Sequence, residues 1–147
     1  MKGLKFTFIM FVLSVSIGLI AGCSGGSDSS SGGGGGGEIG DLTGTWSGTW
    51  VSSDSSRTPS SGSISANIIH SGTSLSGSAS LPGSPCFSNC SISGTVSGNY
   101  MTATIVSGSN TAVFTGTCST TSMSGSYGVS AGFCAGDYGT FTMNKRT

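Results

Sequence analysis

From Asp41 to Thr147 apolar and polar residues alternate with a period of two, and no window carries the apolar repeat of an amphipathic helix. A five-residue unit recurs: Trp46-Ser47-Gly48-Thr49-Trp50, Leu75-Ser76-Gly77-Ser78-Ala79, Ile92-Ser93-Gly94-Thr95-Val96, Phe114-Thr115-Gly116-Thr117-Cys118 and Met123-Ser124-Gly125-Ser126-Tyr127. Successive side chains of a strand point to opposite faces, so each unit turns two apolar residues and a Gly inward and two hydroxyls outward. Turn signals divide the stretch into eight strands, expected near 43–51, 63–69, 74–81, 91–96, 99–105, 111–118, 122–129 and 138–145. Connections after the second, fourth and sixth strands are short, and those after the first, third and seventh are long. This regularity predicts an all-β domain, a small eight-stranded antiparallel up-and-down barrel with tight turns at one end and long loops at the other. Closure removes the bare edges that so uncharged a sheet would expose. Gly at the centre of each inward stripe permits the close approach of a tight wall. The outer positions are Ser and Thr rather than apolar, so the barrel is expected to stand in water rather than span a bilayer.

Composition narrows the picture. The chain has 147 residues, 27 of them Gly, with 7% charged and a net charge of zero. No basic surplus offers a footprint for nucleic acid, and one domain fits the length. Leu, Ile, Val and Phe supply 17 of the 107 residues after Gly40, under the roughly 20% of ordinary domains. The core should therefore be thin, with Trp46, Trp50, Tyr100, Tyr127 and Tyr138 adding apolar area and disulfides adding constraint.

The first 22 residues read as an export signal. Lys2 and Lys5 precede an apolar run of 15 residues, Phe6 to Ile20, too short for a comfortable membrane-spanning helix. The run ends in Leu19-Ile20-Ala21-Gly22-Cys23, which resembles the lipobox of bacterial lipoproteins. That resemblance implies that Cys23 becomes a lipidated N-terminus, anchoring an exported chain to the bilayer through several acyl chains. Ser24 stands where such lipoproteins carry Asp for inner-membrane retention, so in a Gram-negative host the resemblance implies the outer membrane. Positions 24–40 hold nine Gly and five Ser, a flexible tether spanning roughly 20 to 25 Å. The expected organisation is thus a lipoprotein signal peptide (1–22), a lipidated Cys and tether (23–40), and a β-barrel domain (41–147).

Gly44-Thr45-Trp46, opening the first strand, resembles the Gly-x-Trp motif of the calycin barrels, lipocalins and avidins among them. In those barrels a basic residue of the last strand packs over the Trp and closes one end. The resemblance therefore implies closure by Gly44, Trp46 and Lys145, which shares a strand face with Phe141 and Met143; Arg146 takes that place if the register slips by one residue. No longer lipocalin or avidin motif is matched, so no biotin or lipid ligand carries over. A family of bacterial metalloprotease inhibitors has a similar small barrel with Gly-x-Trp, which implies a protein-binding barrel as an alternative.

Four further cysteines, Cys86, Cys90, Cys118 and Cys134, allow three complete pairings, and export permits disulfides. Cys86, Cys90 and Cys134 fall in loops at the same end of the expected barrel, which favours Cys86 with Cys134. Cys90 with Cys118 is then the second pair, although Cys118 falls toward the opposite rim, and a local Cys86–Cys90 bridge is the alternative. Neither paired Cys spacings nor a second His accompany His70, so no metal site is expected.

Little here suggests catalysis. His70 reads as a solvated turn residue and Asp137 as an Asx turn before the last strand; among so many Ser residues a triad can always be drawn. The expectation is a non-catalytic, cofactor-free binding barrel whose interior, lined by Trp50, Phe114 and Tyr127, is either filled or holds one small ligand. A protein partner would meet the long loops (52–62, 82–90, 130–137). A structural envelope component without a discrete ligand is the remaining reading.

Overall fold

The computed structural model of the protein describes residues 39–147. The expected signal peptide, Cys23 and the tether as far as Glu38 lie outside them. Eight strands follow in order: β1 (Gly44–Ser52), β2 (Ser61–Ser71), β3 (Ser74–Ser80), β4 (Cys90–Ser97), β5 (Tyr100–Ser107), β6 (Asn110–Cys118), β7 (Ser122–Ala131) and β8 (Tyr138–Lys145). Each pairs antiparallel with its chain neighbour, and β1 pairs with β8, closing the barrel. All eight coincide with the strands expected from the alternation. Their ends differ by up to two residues, most in β2, because ladder pairing to β1 and β3 carries the strand into its flanking turns.

The up-and-down order sorts the connections into two ends. The short turns after β2, β4 and β6, the start of β1 and the end of β8 form a floor. The loops 53–60, 81–89 and 132–137, with the tight turn between β5 and β6, form a mouth.

The alternation decides what each face carries. Inward residues such as Ile64, Ala66 and Ile68 of β2 are buried, while Ser65 and Asn67 between them are exposed. On the outside, lateral pairing aligns Thr140, Ser126, Thr115, Thr102, Thr95 and Ser74 into one hydroxyl row across six strands. The wall is drawn so tight that a Cβ on Gly48 would fall on the Thr142 carbonyl oxygen, and one on Gly125 on that of Thr115. A side chain at either place would force neighbouring strands apart, which accounts for Gly at the centre of the stripe.

The interior is packed. Phe114 and Phe141 meet edge to face with centroids 5.1 Å apart, in the favourable range for an aromatic pair. Met101, Met123 and Met143 are all buried and suit the irregular gaps that Gly leaves. In mid-barrel the space able to take the centre of a water molecule is about 30 Å³, and its walls are wholly apolar. A void so lined stays dry, because no polar group is there to hold a water.

The disulfide Cys86–Cys134 forms, with Cα atoms 6.2 Å apart, tying the 81–89 loop to the 132–137 loop at the mouth. The second expected pair does not: Cys90 and Cys118 are buried free thiols. Cys90 opens β4 at the mouth, whereas Cys118 ends β6 at the floor, beside the Asn99 carbonyl. With β5 and the length of the barrel between them, no bridge can span the two. The Cys86–Cys90 alternative is displaced by the bridge Cys86 makes to Cys134.

Candidate functional site

The floor is sealed. Trp46 and Leu42 have no exposed surface, and the Trp46 indole N–H donates to the Leu42 carbonyl at 2.9 Å. Lys145 pairs with Trp46 across β1 and β8. Its Nζ sits 5.9 Å from the indole centroid and donates to the Asp41 carbonyl at 2.9 Å. Gly44 makes room for the Lys145 stem: its φ is 143°, and a Cβ there would come 2.9 Å from Lys145 Cε. Gly44, Trp46 and Lys145 thus meet at one end, while the Arg146 side chain stays exposed. The segment before β1 adds a plug that the sequence did not signal, because Leu42 lies outside any strand pattern.

His70 belongs to this floor rather than to solvent. Its side chain is only 9% exposed, Nδ1 accepts the Leu42 N–H at 3.3 Å, and Thr43 Oγ1 accepts the His70 N–H at 3.0 Å. The solvated-turn reading fails because His70 continues the inward parity of Ile64, Ala66 and Ile68; that parity was the available signal. Asp41, at the rim, is held below the usual carboxylate range by hydrogen bonds from Thr43, with Lys145 and His70 as lesser influences.

The mouth is built differently. Trp50, Phe114 and Tyr127, expected as interior lining, come together there: Phe114 and Tyr127 stack at 5.4 Å, and Trp50 meets Tyr127 edge-on at 6.4 Å. Above them Pro59, Leu81, Pro85 and Phe87 wall an apolar recess open to solvent. The cavity volume of the recess is about 30 Å³. It is a shallow seat, too small to engulf a drug-sized ligand.

Polar groups hold the loops around it. Asp137, only 9% exposed, accepts from Ser52 Oγ at 2.5 Å and from the Tyr127 hydroxyl at 3.2 Å. The Asx-turn reading of Asp137 is therefore corrected: its carboxylate bridges β1 and β7 instead of capping its own turn. Burial, with the Asp137 charge beside it, pushes the Tyr127 phenol up to about 12. Arg57 Nη2 donates to the carbonyls of Cys134 and Ala135 at 3.3 and 3.2 Å, and Nε lies 3.3 Å from Asp54 Oδ2. Asn110 donates to the Cys86 carbonyl at 3.2 Å and accepts the Phe133 N–H at 2.8 Å. With the disulfide, these bonds preorganise the mouth while Phe133 remains 83% exposed and Tyr138 57%.

Arg57 and Asn110 escaped sequence reasoning because their partners lie more than 20 residues away and no local motif links them. No group of three metal-ligating side chains occurs among the described residues. Compared with the models of known protein families and with curated proteins, the chain matches none.

Proposed function

We propose that this protein is a lipid-anchored envelope lipoprotein displaying a non-catalytic, calycin-like barrel whose mouth docks a protein partner. The lipobox at Cys23 supports export and anchoring, to the outer membrane in a Gram-negative host. The observation that carries the docking reading is the asymmetry of the two ends. The end that receives the tether is plugged by Leu42 and Trp46, whereas the far end offers a rigid, apolar seat with Phe133 standing clear of it. Exposed aromatics beside a preformed apolar pocket are the usual anchors of protein interfaces, and loops already fixed need lose little entropy on docking. The packed interior favours contact at the rim over uptake of a ligand into the barrel.

The test has two parts. A Cys23→Ser chain should leave the membrane fraction; continued membrane association defeats the anchor. In cells, a photo-crosslinking residue at position 133 should trap a defined partner that one at position 100 on the floor does not. The adduct should also vanish on Cys86→Ser. Equal labelling from both ends would overturn docking at the mouth.

A further inference from the structure

His70 fastens the floor through a bond that depends on its charge. Nδ1 accepts the Leu42 N–H at 3.3 Å, so that nitrogen carries no proton and the ring is in its neutral form with the proton on Nε2. Leu42 is thereby tied at both of its polar atoms, its N–H to His70 and its carbonyl to the Trp46 indole N–H. The other bonds between these segments run from the His70 N–H to Thr43 Oγ1 and from Thr43 Oγ1 to the His70 carbonyl, and they are indifferent to the state of the ring. Nε2 is buried without a partner, so no bond on the far side of the ring holds it in either state. A second acceptor stands beside the first contact: Asp41 Oδ1 lies 3.9 Å from the same Nδ1, on an exposed residue whose carboxylate the Thr43 donors keep ionised.

The remaining neighbours add one charge. β3 sets Leu75 opposite His70, and the turns after β2 and β4 contribute Gly72, Thr73, Ser97 and Gly98, all uncharged. β8 brings Lys145, whose Nζ donates to the Asp41 backbone carbonyl, while Arg146 lies on the outer wall beside Ser47 and Ser65. Among the described residues, Asp41 and Lys145 are thus the charged side chains around His70.

We propose that His70 is a proton-operated latch on the Leu42 plug: neutral, its Nδ1 holds the Leu42 N–H; charged, it releases that N–H and donates to the Asp41 carboxylate instead. The proton comes from solvent through the open recess that His70 lines with Asp41, Thr73 and Val96. It takes up the lone pair that had accepted the Leu42 N–H, and both ring nitrogens are then donors. Leu42 loses one of its two ties, so acid loosens the plug. The mouth takes no part in this exchange, because Arg57 is paired with Asp54 and Asp137 is bonded by Ser52 and Tyr127.

Amide hydrogen exchange of the full chain in detergent, read by NMR from about pH 8 to about pH 5, where histidines change charge, tests the latch. Protection of the Leu42 amide, taken relative to an unstructured chain at the same pH, should fall about tenfold in one step, the ratio of one hydrogen bond. His70 is the one His of the chain, so its ring signals report its titration directly, and the step should coincide with it. Ala112, buried in the barrel wall, should show no step. Asp41→Asn removes the charge that captures the imidazolium and should move the step to lower pH by about half a unit. His70→Phe removes both acceptor and charge, and should leave the Leu42 amide weakly protected at every pH. Equal protection of Leu42 at both ends of the range, a loss shared by Ala112, or a step that Asp41→Asn leaves in place overturns the inference. If His70→Phe fails to fold, the wild-type and Asp41→Asn profiles decide.

Discussion

Trp46 and Trp50 stand four residues apart on the same face of β1, yet they meet opposite fates. Trp46 closes an end: it is fully buried, its N–H is bonded, and a cation lies over its ring. Trp50 lines an open one, its N–H unbonded and its ring against Tyr127 at the edge of a recess. One strand of nine residues thus runs from a closed floor to an open mouth. The difference lies less in the tryptophans than in what the chain supplies beside them, the Leu42 plug and Lys145 at one end and loops pinned back by a disulfide at the other.

The comparison breaks most sharply if the floor is removed. Trp46→Ala should cost about 4 kcal/mol, the range for a fully buried aromatic, read from urea unfolding. Next comes the constraint on the mouth. Replacing both Cys86 and Cys134 by Ser opens a loop of sequence separation 48 and should cost about 3 to 4 kcal/mol by chain entropy. Hydrogen exchange should rise in residues 81–89 and 132–137 and stay unchanged at Leu42 and Trp46; a rise at both ends would mean that the two ends are not independent.

Alkali should separate the ends by about 2 kcal/mol. Tyr127 is raised from 10.0 to about 12 in the folded chain, so the folded state holds its proton more tightly than the unfolded state. The stability this provides is complete below pH 10 and is lost as pH rises toward 12. Tyr127→Phe should flatten that part of the stability–pH curve, and an unchanged curve would refute the assignment. A finer cut compares the two indoles directly. Trp46→Phe strands the buried Leu42 carbonyl and should cost about 1 to 3 kcal/mol beyond the lost volume, whereas Trp50→Phe removes a donor that had no partner and should lack that penalty. Equal penalties in thermal melts would erase the contrast. Smallest of all, Lys145→Met should cost about 0.5 to 1 kcal/mol through the lost cation–indole contact.

What the sequence disclosed follows from what is local. Period-two alternation placed all eight strands because each inward residue is fixed by its own neighbours, whereas Lys145 beside Trp46 was only what the Gly-x-Trp resemblance implied, with Arg146 left open by a one-residue slip. Loop polarity was enough to choose Cys86 with Cys134. The Cys90–Cys118 pair went wrong by elimination, against the chain's own placement of the two at opposite rims. Asp137 looked like a turn residue because its donors, Ser52 and Tyr127, are 85 and 10 residues distant. The aromatic base of the recess was named from the sequence, but its upper walls were not, because they come from three loops whose meeting depends on the closed barrel.

The closed ladder also has a mechanical side. The chain entering β1 and the mouth lie at opposite ends of that strand, and the backbone hydrogen bonds holding β1 to β2 and to β8 run perpendicular to it. A pull between the chain entering β1 and the mouth is therefore borne in shear, by both ladders of β1 at once. A pull on β1 and β8 at the floor, where they enter and leave side by side, would instead part them one bond at a time. The barrel should resist the first load far better than the second.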